Sequence, residues 1–282
     1  MRFDQLQTDV QQWIQEAVSY GHPLNAIVNT LVTAGHQPAI ADAVAHYLDE
    51  LAASGQTVRP HSSAVVANAS ANQPTTDRTV QILFVLNTPR IVLFGNLLSH
   101  DECDSLIAYS RGRLKPSTVV NAVNGSYDRH EARTSYGASF KRGENDLIRR
   151  IEHRISELLS VPVSHGEPIQ VLNYAPGAEY KPHFDYFDPA NPGNESILKM
   201  GGQRFATLVI YLNDVAAGGS TVFPDIGLDV LPRKGHAIFF SYANPAGDLD
   251  ALTLHGGSPV TEGEKWIATK WLRLGDYTGP DI

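Results

Sequence analysis

The sequence predicts an α+β protein, with helices in its N-terminal part and a β-rich remainder. Between residues 4 and 53, apolar residues recur at spacings of three and four, the period of an amphipathic helix. From residue 166 to 273, short β-prone runs alternate with Gly, Pro, Asn and Asp, a pattern typical of an all-β sandwich or barrel. Two further amphipathic stretches, at about 100–113 and 144–160, predict helices that support the β-rich part.

The N-terminal stretch is predicted to form a small helical module. The apolar stripe of its first helix consists of Leu6, Val10, Trp13, Ile14 and Val18. Residues 54–78 follow, rich in Ser, Ala, Asn, Thr and Pro and without periodicity, and are predicted to be a linker. The chain is therefore divided into a helical module, 1–53, a linker, 54–78, and a second domain, 79–282. The helical module is interpreted either as a dimerisation element, giving a homodimer, or as a substrate-docking element; a packing extension of the second domain remains the alternative.

The bulk composition predicts a protein with neither a nucleic-acid nor a membrane partner. A net charge of −8 and a pI of about 5.7 argue against a broad nucleic-acid footprint. No run approaches the ~18 consecutive apolar residues of a membrane span, and the first residues do not resemble a signal peptide. Cys103 is the only cysteine, so no intrachain disulfide can form. These features predict a cytoplasmic location.

One stretch, from Gln170 to Tyr186, concentrates residues that can carry chemistry. It reads QVLNYAPGAEYKPHFDY and places His183 and Asp185 two positions apart in a segment that is predicted to be extended. Residues i and i+2 of a strand point to the same face. A second candidate ligand, His255, follows in TLHGG, and two histidines with one carboxylate can occupy one face of a metal ion, as in non-heme Fe(II) sites. An isolated His-x-Asp pair would more often belong to an ordinary surface strand.

Four groups of residues follow one another in a fixed order between residues 80 and 273. They are Tyr174-x-x-Gly177-x-x-Tyr180-x-x-His183-x-Asp185, Arg204-x-x-Thr207-x-x-x-Tyr211-Leu212-Asn213, Gly218-Gly219-x-Thr221-x-Phe223, and His255 with Lys265. This ordered set resembles the Fe(II)/2-oxoglutarate dioxygenases of the prolyl 4-hydroxylase family. The resemblance implies a catalytic core folded as a double-stranded β-helix, or jelly roll, with supporting helices on one face. The first 75 residues have no part in it.

The resemblance implies that His183, Asp185 and His255 bind Fe(II). Three protein ligands leave three positions of an octahedral ion open, enough for two oxygens of 2-oxoglutarate and for O2. Lys265 is implied to pair with the distal carboxylate of 2-oxoglutarate, because a buried carboxylate is costly unless it is paired. The strand pattern around Lys265 alone also allows an edge or surface position.

Further residues are implied to surround the cosubstrate. Tyr174 is implied to line its pocket near the metal, and the Tyr211 hydroxyl is implied to contact its distal carboxylate. Thr207 projects to the same side as Tyr211 in an uninterrupted strand, so it is predicted to line the pocket too. The stretch 188–202, polar and rich in Gly and Pro, is predicted to be a long loop placed where a lid could sit.

For the substrate, the resemblance implies a groove around Tyr180, Arg204 and Trp271. The two aromatic rings would form walls against a proline ring, and Arg204 would hydrogen-bond near the reacting carbon. The alternative is that Tyr180 and Trp271 are ordinary core aromatics. Arg133 is a further candidate for the peptide channel.

The function implied is hydroxylation of prolyl residues at carbon 4 in a peptide or protein, coupled to decarboxylation of 2-oxoglutarate to succinate and CO2. The partner is then a proline-containing peptide or protein, and ascorbate is an additional cofactor that the family implies. Two alternatives stay open. One is the same chemistry on free proline or another amino-acid side chain, and the other is a sensor that binds metal and 2-oxoglutarate with little turnover.

Overall fold

The structure of the protein is a computed structural model that describes residues 2–19, 24–53, 70–117, 119–120, 127–128, 132–243 and 248–280. The chain divides into two compact units, Met1–Ala69 and Ser70–Ile282. The division falls within the predicted linker, 54–78, of which residues 54–69 lie outside the described residues.

The first unit is helical. Its helices are α1 (Thr8–Ser19), α2 (Leu24–Thr33) and α3 (Ile40–Ala53), preceded by the 3-10 turn Phe3–Gln5. The predicted apolar stripes face inward and form a small core that includes Val10, Ile14, Val18, Ile27, Leu31, Ile40 and Val44. Trp13 departs from its predicted stripe and is 38% exposed.

The second unit is a set of antiparallel strands. Their bounds are β1 (Asn72–Pro74), β2 (Thr79–Leu86), β3 (Arg90–Gly95), β4 (Lys115–Pro116), β5 (Val119–Val120), β6 (Tyr127–Asp128), β7 (Tyr136–Phe140), β8 (Ile169–Tyr174), β9 (Tyr180–His183), β10 (Arg204–Tyr211), β11 (Ala217–Gly218), β12 (Thr221–Phe223), β13 (Leu228–Val230), β14 (Ala237–Ser241), β15 (His255–Gly257), β16 (Val260–Glu262) and β17 (Lys265–Arg273).

Two sheets dominate this unit. The major sheet has the order β1-β2-β3-β14-β10-β17-β8-β7-β4, and the minor sheet has the order β13-β12-β15-β9. Side chains connect the two sheets, as where the Tyr211 hydroxyl of β10 donates to Thr221 of β12 over 2.8 Å. Several neighbouring strands come from distant parts of the chain, as β3 with β14, β17 with β8 and β15 with β9 do, which is typical of jelly-roll connections. The predicted α+β class with a jelly-roll core is confirmed.

Two helices accompany the sheets, α4 (His100–Arg111) and α5 (Asp146–Leu159), with a short helix α6 (Glu195–Leu198) later in the chain. The Ser99 side chain caps α4 by accepting from the Glu102 amide, and Asn145 caps α5 by accepting from the Ile148 amide. The buried pair Lys270–Glu152, 2.6 Å apart, connects β17 to α5. None of the helices in the described part of the chain combines the length and apolar character needed to cross a bilayer.

The start of the second unit differs from the prediction that residues up to 78 are linker. Asn72–Pro74 form β1, which pairs with the beginning of β2. Asp77 accepts a hydrogen bond of 2.9 Å from Nε of the buried Arg154 on α5. These contacts join residues far apart in the sequence, so a pattern of local periodicity cannot reveal them.

Candidate active site

Three side chains of the kind that bind metals converge at the minor sheet. His183 ends β9 and His255 begins β15, directly opposite each other in the antiparallel pairing, and Asp185 follows two residues after His183. Nε2 of His183 lies 3.7 Å from Oδ1 of Asp185, and Nε2 of His255 lies 3.5 Å from Oδ2. One ligand atom from each residue lies within 4.8 Å of the others. This donor set fits one divalent ion held on a single face.

The backbone selects the tautomer of both histidines. Nδ1 of His183 lies 2.9 Å from the Lys181 carbonyl oxygen, and Nδ1 of His255 lies 3.1 Å from that of Thr253. A carbonyl can only accept, so Nδ1 carries the proton in each ring. Each Nε2 is left with its lone pair free, the form in which imidazole binds a metal.

The charges of the triad also suit a cation. Burial, with the neighbouring His255, lowers the pKa of His183 to about 3, so the ring is neutral at neutral pH. Burial opposes ionisation of Asp185, but the neighbouring His255, His183 and Arg204 outweigh it and hold the pKa of Asp185 at about 2. An anionic carboxylate thus stands beside a neutral imidazole.

A cavity opens beside the triad and reaches Lys265. Its wall includes the triad, Tyr174, Thr221 and Lys265. Lys265 is buried and lies opposite Tyr174 in the pairing of β17 with β8, with Nζ 5.6 Å from the Tyr174 ring centroid. Burial lowers the pKa of Lys265 to about 8, and in the described part of the chain no carboxylate lies within ion-pair distance of its Nζ. Because an unpaired buried ammonium is costly, this end of the cavity is complementary to an anion such as a carboxylate.

The three residues predicted to line the cosubstrate pocket occupy different places. Tyr174 lies in the cavity wall, but Tyr211 and Thr207 do not. Tyr211 stands behind Thr221 and donates to its hydroxyl, so Thr221 keeps its own proton for an acceptor in the cavity. Thr221 belongs to the motif set that carries the family resemblance, yet the sequence alone assigns it no role.

Thr207 lies at the metal end of β10. Its hydroxyl donates to Oδ2 of Asp185 over 2.6 Å, and its oxygen lies 3.0 Å from the Tyr242 hydroxyl. Thr207 and Tyr211 share one face of β10, as predicted, but they lie four positions apart along the strand, a distance of about 13 Å. The two side chains therefore serve opposite ends of the site.

The aromatic residues predicted for the substrate groove lie in the cavity wall. The Tyr180 ring stacks on the His183 ring with centroids 3.6 Å apart and planes at 21°. The Arg133 guanidinium lies 4.9 Å from the Tyr180 centroid, and Arg133 also lines the cavity. Trp271 contributes to the same wall. Tyr180 thus packs on a candidate metal ligand, and both aromatic residues line the cavity, while their contact with a substrate stays a prediction.

Arg204 is held beside the cavity and is not among its lining residues. Its Nε and Nη2 donate to both carboxylate oxygens of Glu167, over 2.6 and 2.8 Å. Its guanidinium lies 4.1 Å from the Trp271 ring centroid, and Nη1 lies 3.4 Å from the Asp185 carbonyl oxygen. Arg204 therefore supports the wall and the segment of Asp185. Its hydrogen bond near the reacting carbon stays a prediction.

Sequence reasoning misses Glu167. This carboxylate is buried and also accepts from Nε of Arg273 over 2.6 Å. It lies in the stretch HGEP, whose composition is typical of an exposed turn, so no local signal reveals its burial.

The loop predicted at 188–202 has structure of its own. It contains the 3-10 turn Pro192–Asn194 and α6. Its base is closed by two hydrogen bonds between Phe187 and Gln203, of 2.8 and 2.6 Å. Arg273 donates to the carbonyls of Ile197 and Gly202, over 3.1 and 2.8 Å, which anchors the loop to β17.

Comparison with known proteins identifies the family. A profile of the 2OG-Fe(II) oxygenase superfamily matches residues 169–273. Probable prolyl 4-hydroxylase 3 of Arabidopsis thaliana is 40% identical over 208 residues, and the match covers 67% of this chain and 71% of the relative. Prolyl 4-hydroxylase 5 of the same plant is 39% identical over 209 residues, and this match covers 67% of this chain and 70% of that relative. The crystal structure of the viral collagen prolyl hydroxylase of Paramecium Bursaria Chlorella virus-1, in complex with 2-oxoglutarate, superposes with a TM-score of 0.52 at 33% identity, covering 65% of this chain and 95% of the viral one. The chain belongs to the prolyl 4-hydroxylase family of Fe(II)- and 2-oxoglutarate-dependent dioxygenases.

Proposed function

We propose that the protein hydroxylates prolyl residues of a peptide or protein at carbon 4, coupled to decarboxylation of 2-oxoglutarate to succinate and CO2. The observation that carries this proposal is that the His183–Asp185–His255 triad and the ammonium of Lys265, which has no ion-pair partner among the described residues, open onto one cavity. A metal and a dicarboxylate bound there would share that cavity with the substrate.

In this proposal the triad binds Fe(II) and the far end of the cavity binds 2-oxoglutarate. Lys265 pairs with the distal carboxylate, and the Thr221 hydroxyl, whose oxygen accepts from Tyr211, donates to it. Fe(II) and 2-oxoglutarate bound together would activate O2, which is the oxidant: one of its oxygen atoms would become the hydroxyl on the substrate carbon, and the other would enter succinate as 2-oxoglutarate is oxidised and loses CO2. The protein's part is to hold both groups and to keep the site dry.

The chain's own residues orient the substrate. Tyr180 is fixed by its stack on His183, and Trp271 is fixed by the guanidinium of Arg204, so the cavity wall offers rigid aromatic surfaces. A proline ring is apolar and compact and fits against such a wall. Burial raises the pKa of Tyr180 to about 12, so its phenol stays protonated and neutral beside the ring.

The charge of the cavity favours a prolyl residue within a chain over free proline. A free amino acid carries an ammonium and a carboxylate, and both need partners when buried. Among the described residues that line the cavity, the only carboxylate is that of Asp185, which the metal occupies in this proposal. An ammonium would therefore have no counter-ion there, whereas a peptide has no charge at that position.

A peptide panel tests the proposal. Proline-containing peptides are incubated with Fe(II), with and without 2-oxoglutarate and O2, and analysed by mass spectrometry. A product heavier by one oxygen, on proline, that needs both O2 and 2-oxoglutarate is expected. Succinate with only free proline modified would support the free amino-acid alternative. The absence of succinate and product from protein shown to hold iron would favour the sensor and overturn the proposal.

We extend the proposal to homodimer formation through the helical unit. Its support is that three apolar side chains of α1 and α2 are 38 to 39% exposed, namely Trp13, Leu24 and Val32. Light scattering over a range of concentrations should give a dimer mass, and Trp13→Ser should lower it. A monomer mass at all concentrations would refute this part.

We also propose an ascorbate requirement and a cytoplasmic location. The support for ascorbate is the family alone, and the support for the location is the sequence composition. An ascorbate requirement would appear as a fall in product per enzyme when ascorbate is left out. Microscopy of the tagged full chain would test the location.

A further inference from the structure

A chain of two hydroxyls leads to one oxygen of the candidate ligand Asp185. Oγ1 of Thr207 lies 2.6 Å from Oδ2 of Asp185, and the hydroxyl of Tyr242 lies 3.0 Å from Oγ1 of Thr207. Thr207, Tyr242 and Asp185 are at most 8% exposed. The three groups therefore have little access to water that could replace their hydrogen bonds.

The direction of this chain follows from the chemistry of its members. An ionised carboxylate can only accept a hydrogen bond, so the Thr207 hydroxyl donates its one proton to Asp185. Tyr242 must then donate to the Thr207 oxygen. The result is a single sequence of donors that runs from Tyr242 through Thr207 to Oδ2 of Asp185.

The hydrogen bonds from Tyr242 through Thr207 to Asp185 join the two sheets. Thr207 lies in β10 and Tyr242 follows β14, neighbouring strands of the major sheet, whereas Asp185 follows β9 of the minor sheet. The Tyr242 ring packs near the rings of Phe240 and Tyr186, with centroids 5.9 and 6.0 Å away. The major sheet and the packed aromatic rings thus hold the hydroxyls of Tyr242 and Thr207 in fixed positions.

The two oxygens of Asp185 are left unequal. Oδ2 accepts the Thr207 hydroxyl, while no described protein group donates to Oδ1. A carboxylate that binds a metal through one oxygen occupies one position, and through two oxygens it occupies two. Only the first arrangement leaves three positions of an octahedral ion open beside two histidines.

We propose that Tyr242 and Thr207 are positioning residues that hold Asp185 as a one-oxygen ligand through Oδ1, and so keep the open positions that 2-oxoglutarate and O2 need. This inference rests on the proposed metal site. It assigns to Tyr242, which lies outside the predicted motifs, a part in cosubstrate binding through two other side chains.

The test measures metal and cosubstrate binding without turnover. Mn(II) affinity, and 2-oxoglutarate affinity of the Mn(II)-loaded full chain, are measured by calorimetry for the wild type and for Thr207→Val, Thr207→Ser and Tyr242→Phe. Thr207→Val should weaken both about 10- to 100-fold, the range for groups that orient a metal ligand. Tyr242→Phe should weaken both by less, and Thr207→Ser, which keeps the hydroxyl, should stay near the wild type.

Two controls separate positioning from a general loss of structure. Tyr277→Phe removes another buried tyrosine hydroxyl, bonded to the Pro280 carbonyl, and should leave both affinities unchanged. In the double variant Thr207→Val with Tyr242→Phe, the losses should not exceed those of Thr207→Val alone, because Tyr242 acts through Thr207.

Different outcomes overturn different claims. Wild-type affinities in both Thr207→Val and Tyr242→Phe would refute the positioning chain, as would an equal loss in Thr207→Ser and Thr207→Val. A wild-type protein that binds no Mn(II) would instead refute the proposed metal site, and with it the proposed function. Tyr242→Phe conserves the ring volume, so it keeps the test valid even if a substitution at Thr207 prevents folding.

Discussion

His183 and His255 stand directly opposite each other in the antiparallel pairing of β9 with β15, with ring centroids 4.4 Å apart. Opposed residues of such a pair project to the same face, so the strand register alone brings together two imidazoles from distant parts of the chain. Asp185 completes the group just beyond β9. The minor sheet therefore sets the spacing of the metal ligands through backbone pairing.

Removing a triad residue should abolish both metal retention and turnover. His183→Ala or Asp185→Ala takes away one of the three proposed ligands, so the remaining two should bind a divalent ion weakly. Metal content after dialysis, measured by elemental analysis, should fall together with the rate of succinate formation. His153→Ala, a matched control at an exposed histidine of α5, should change neither quantity. Full turnover by either triad variant would show that the metal is held elsewhere.

The affinity for 2-oxoglutarate should fall as the pH rises through about 8. The pKa of Lys265 is lowered to about 8 by burial, so the ammonium is present below that pH and is lost above it. Only the ammonium attracts the distal carboxylate, and the Kd for 2-oxoglutarate should therefore rise, approaching about tenfold per pH unit above the pKa. Calorimetry on Mn(II)-loaded protein between about pH 7 and pH 9 measures this slope.

Lys265→Arg is the control for this pH dependence. A guanidinium stays protonated throughout that range, so the variant should lose the part of the slope that comes from residue 265. Effects of pH on the metal itself are common to both proteins and cancel in the comparison. Parallel slopes in the wild type and in Lys265→Arg would exclude Lys265 as the titrating group.

Glu167→Gln should destabilise the protein and weaken substrate binding. It removes the only carboxylate that pairs with Arg204 and Arg273 in the described part of the chain, and breaking a buried ion pair from one side costs about 3–5 kcal/mol. Glu152→Gln breaks the buried pair with Lys270, which does not line the cavity. Thermal melts should show a lower melting temperature for both variants, but only Glu167→Gln should raise the peptide KM. Equal peptide kinetics in the two variants would contradict a link from Glu167 to the groove.

Trp271→Leu should raise the peptide KM about fivefold to tenfold, because a missing aromatic wall costs about 1 kcal/mol. The KM for 2-oxoglutarate should change little, since Lys265 and Thr221 remain. Trp266→Leu serves as the control, because Trp266 is buried and lies outside the cavity wall. It should lower the melting temperature and leave the peptide KM unchanged. A rise in peptide KM confined to Trp266→Leu would show that the substrate lies elsewhere.

Two truncated forms of the protein should differ in melting temperature. Removing residues 1–69 takes away the helical unit, so activity on short peptides should persist. Removing residues 1–78 also deletes β1 and Asp77, which pairs with the buried Arg154, and should lower the melting temperature further. Equal melting temperatures for the two proteins would show that β1 and Asp77 add no stability.

The sequence predicts most clearly those features that local spacing controls. Helix α5 follows from the stripe of Ile148, Ile151 and Ile155, all of which are buried. The His-x-Asp pair follows from the alternation of a strand and the residues just beyond it. In each case the pattern is visible within a few residues, and the structure differs mainly at the ends of the elements.

The residues that escape prediction act through partners far away in the chain. Glu167 pairs with Arg204 and Arg273, and a carboxylate in a Gly- and Pro-containing stretch gives no local sign of burial. The contact of Tyr242 with Thr207 depends on the pairing of β10 with β14. Strand alternation places Thr207 and Tyr211 on one face, but only the three-dimensional fold shows which end of the site each one serves.

The most direct test of the proposed function follows the oxygen atoms. The wild-type protein is supplied with Fe(II), 2-oxoglutarate, a proline-containing peptide and isotopically labelled O2, and both products are analysed by mass spectrometry. The proposal predicts one labelled oxygen on the prolyl ring and one in succinate, in equal amounts, with neither product from Asp185→Ala. Label in succinate without any hydroxylated prolyl residue across the peptide panel, or a hydroxyl wholly derived from water, would contradict it.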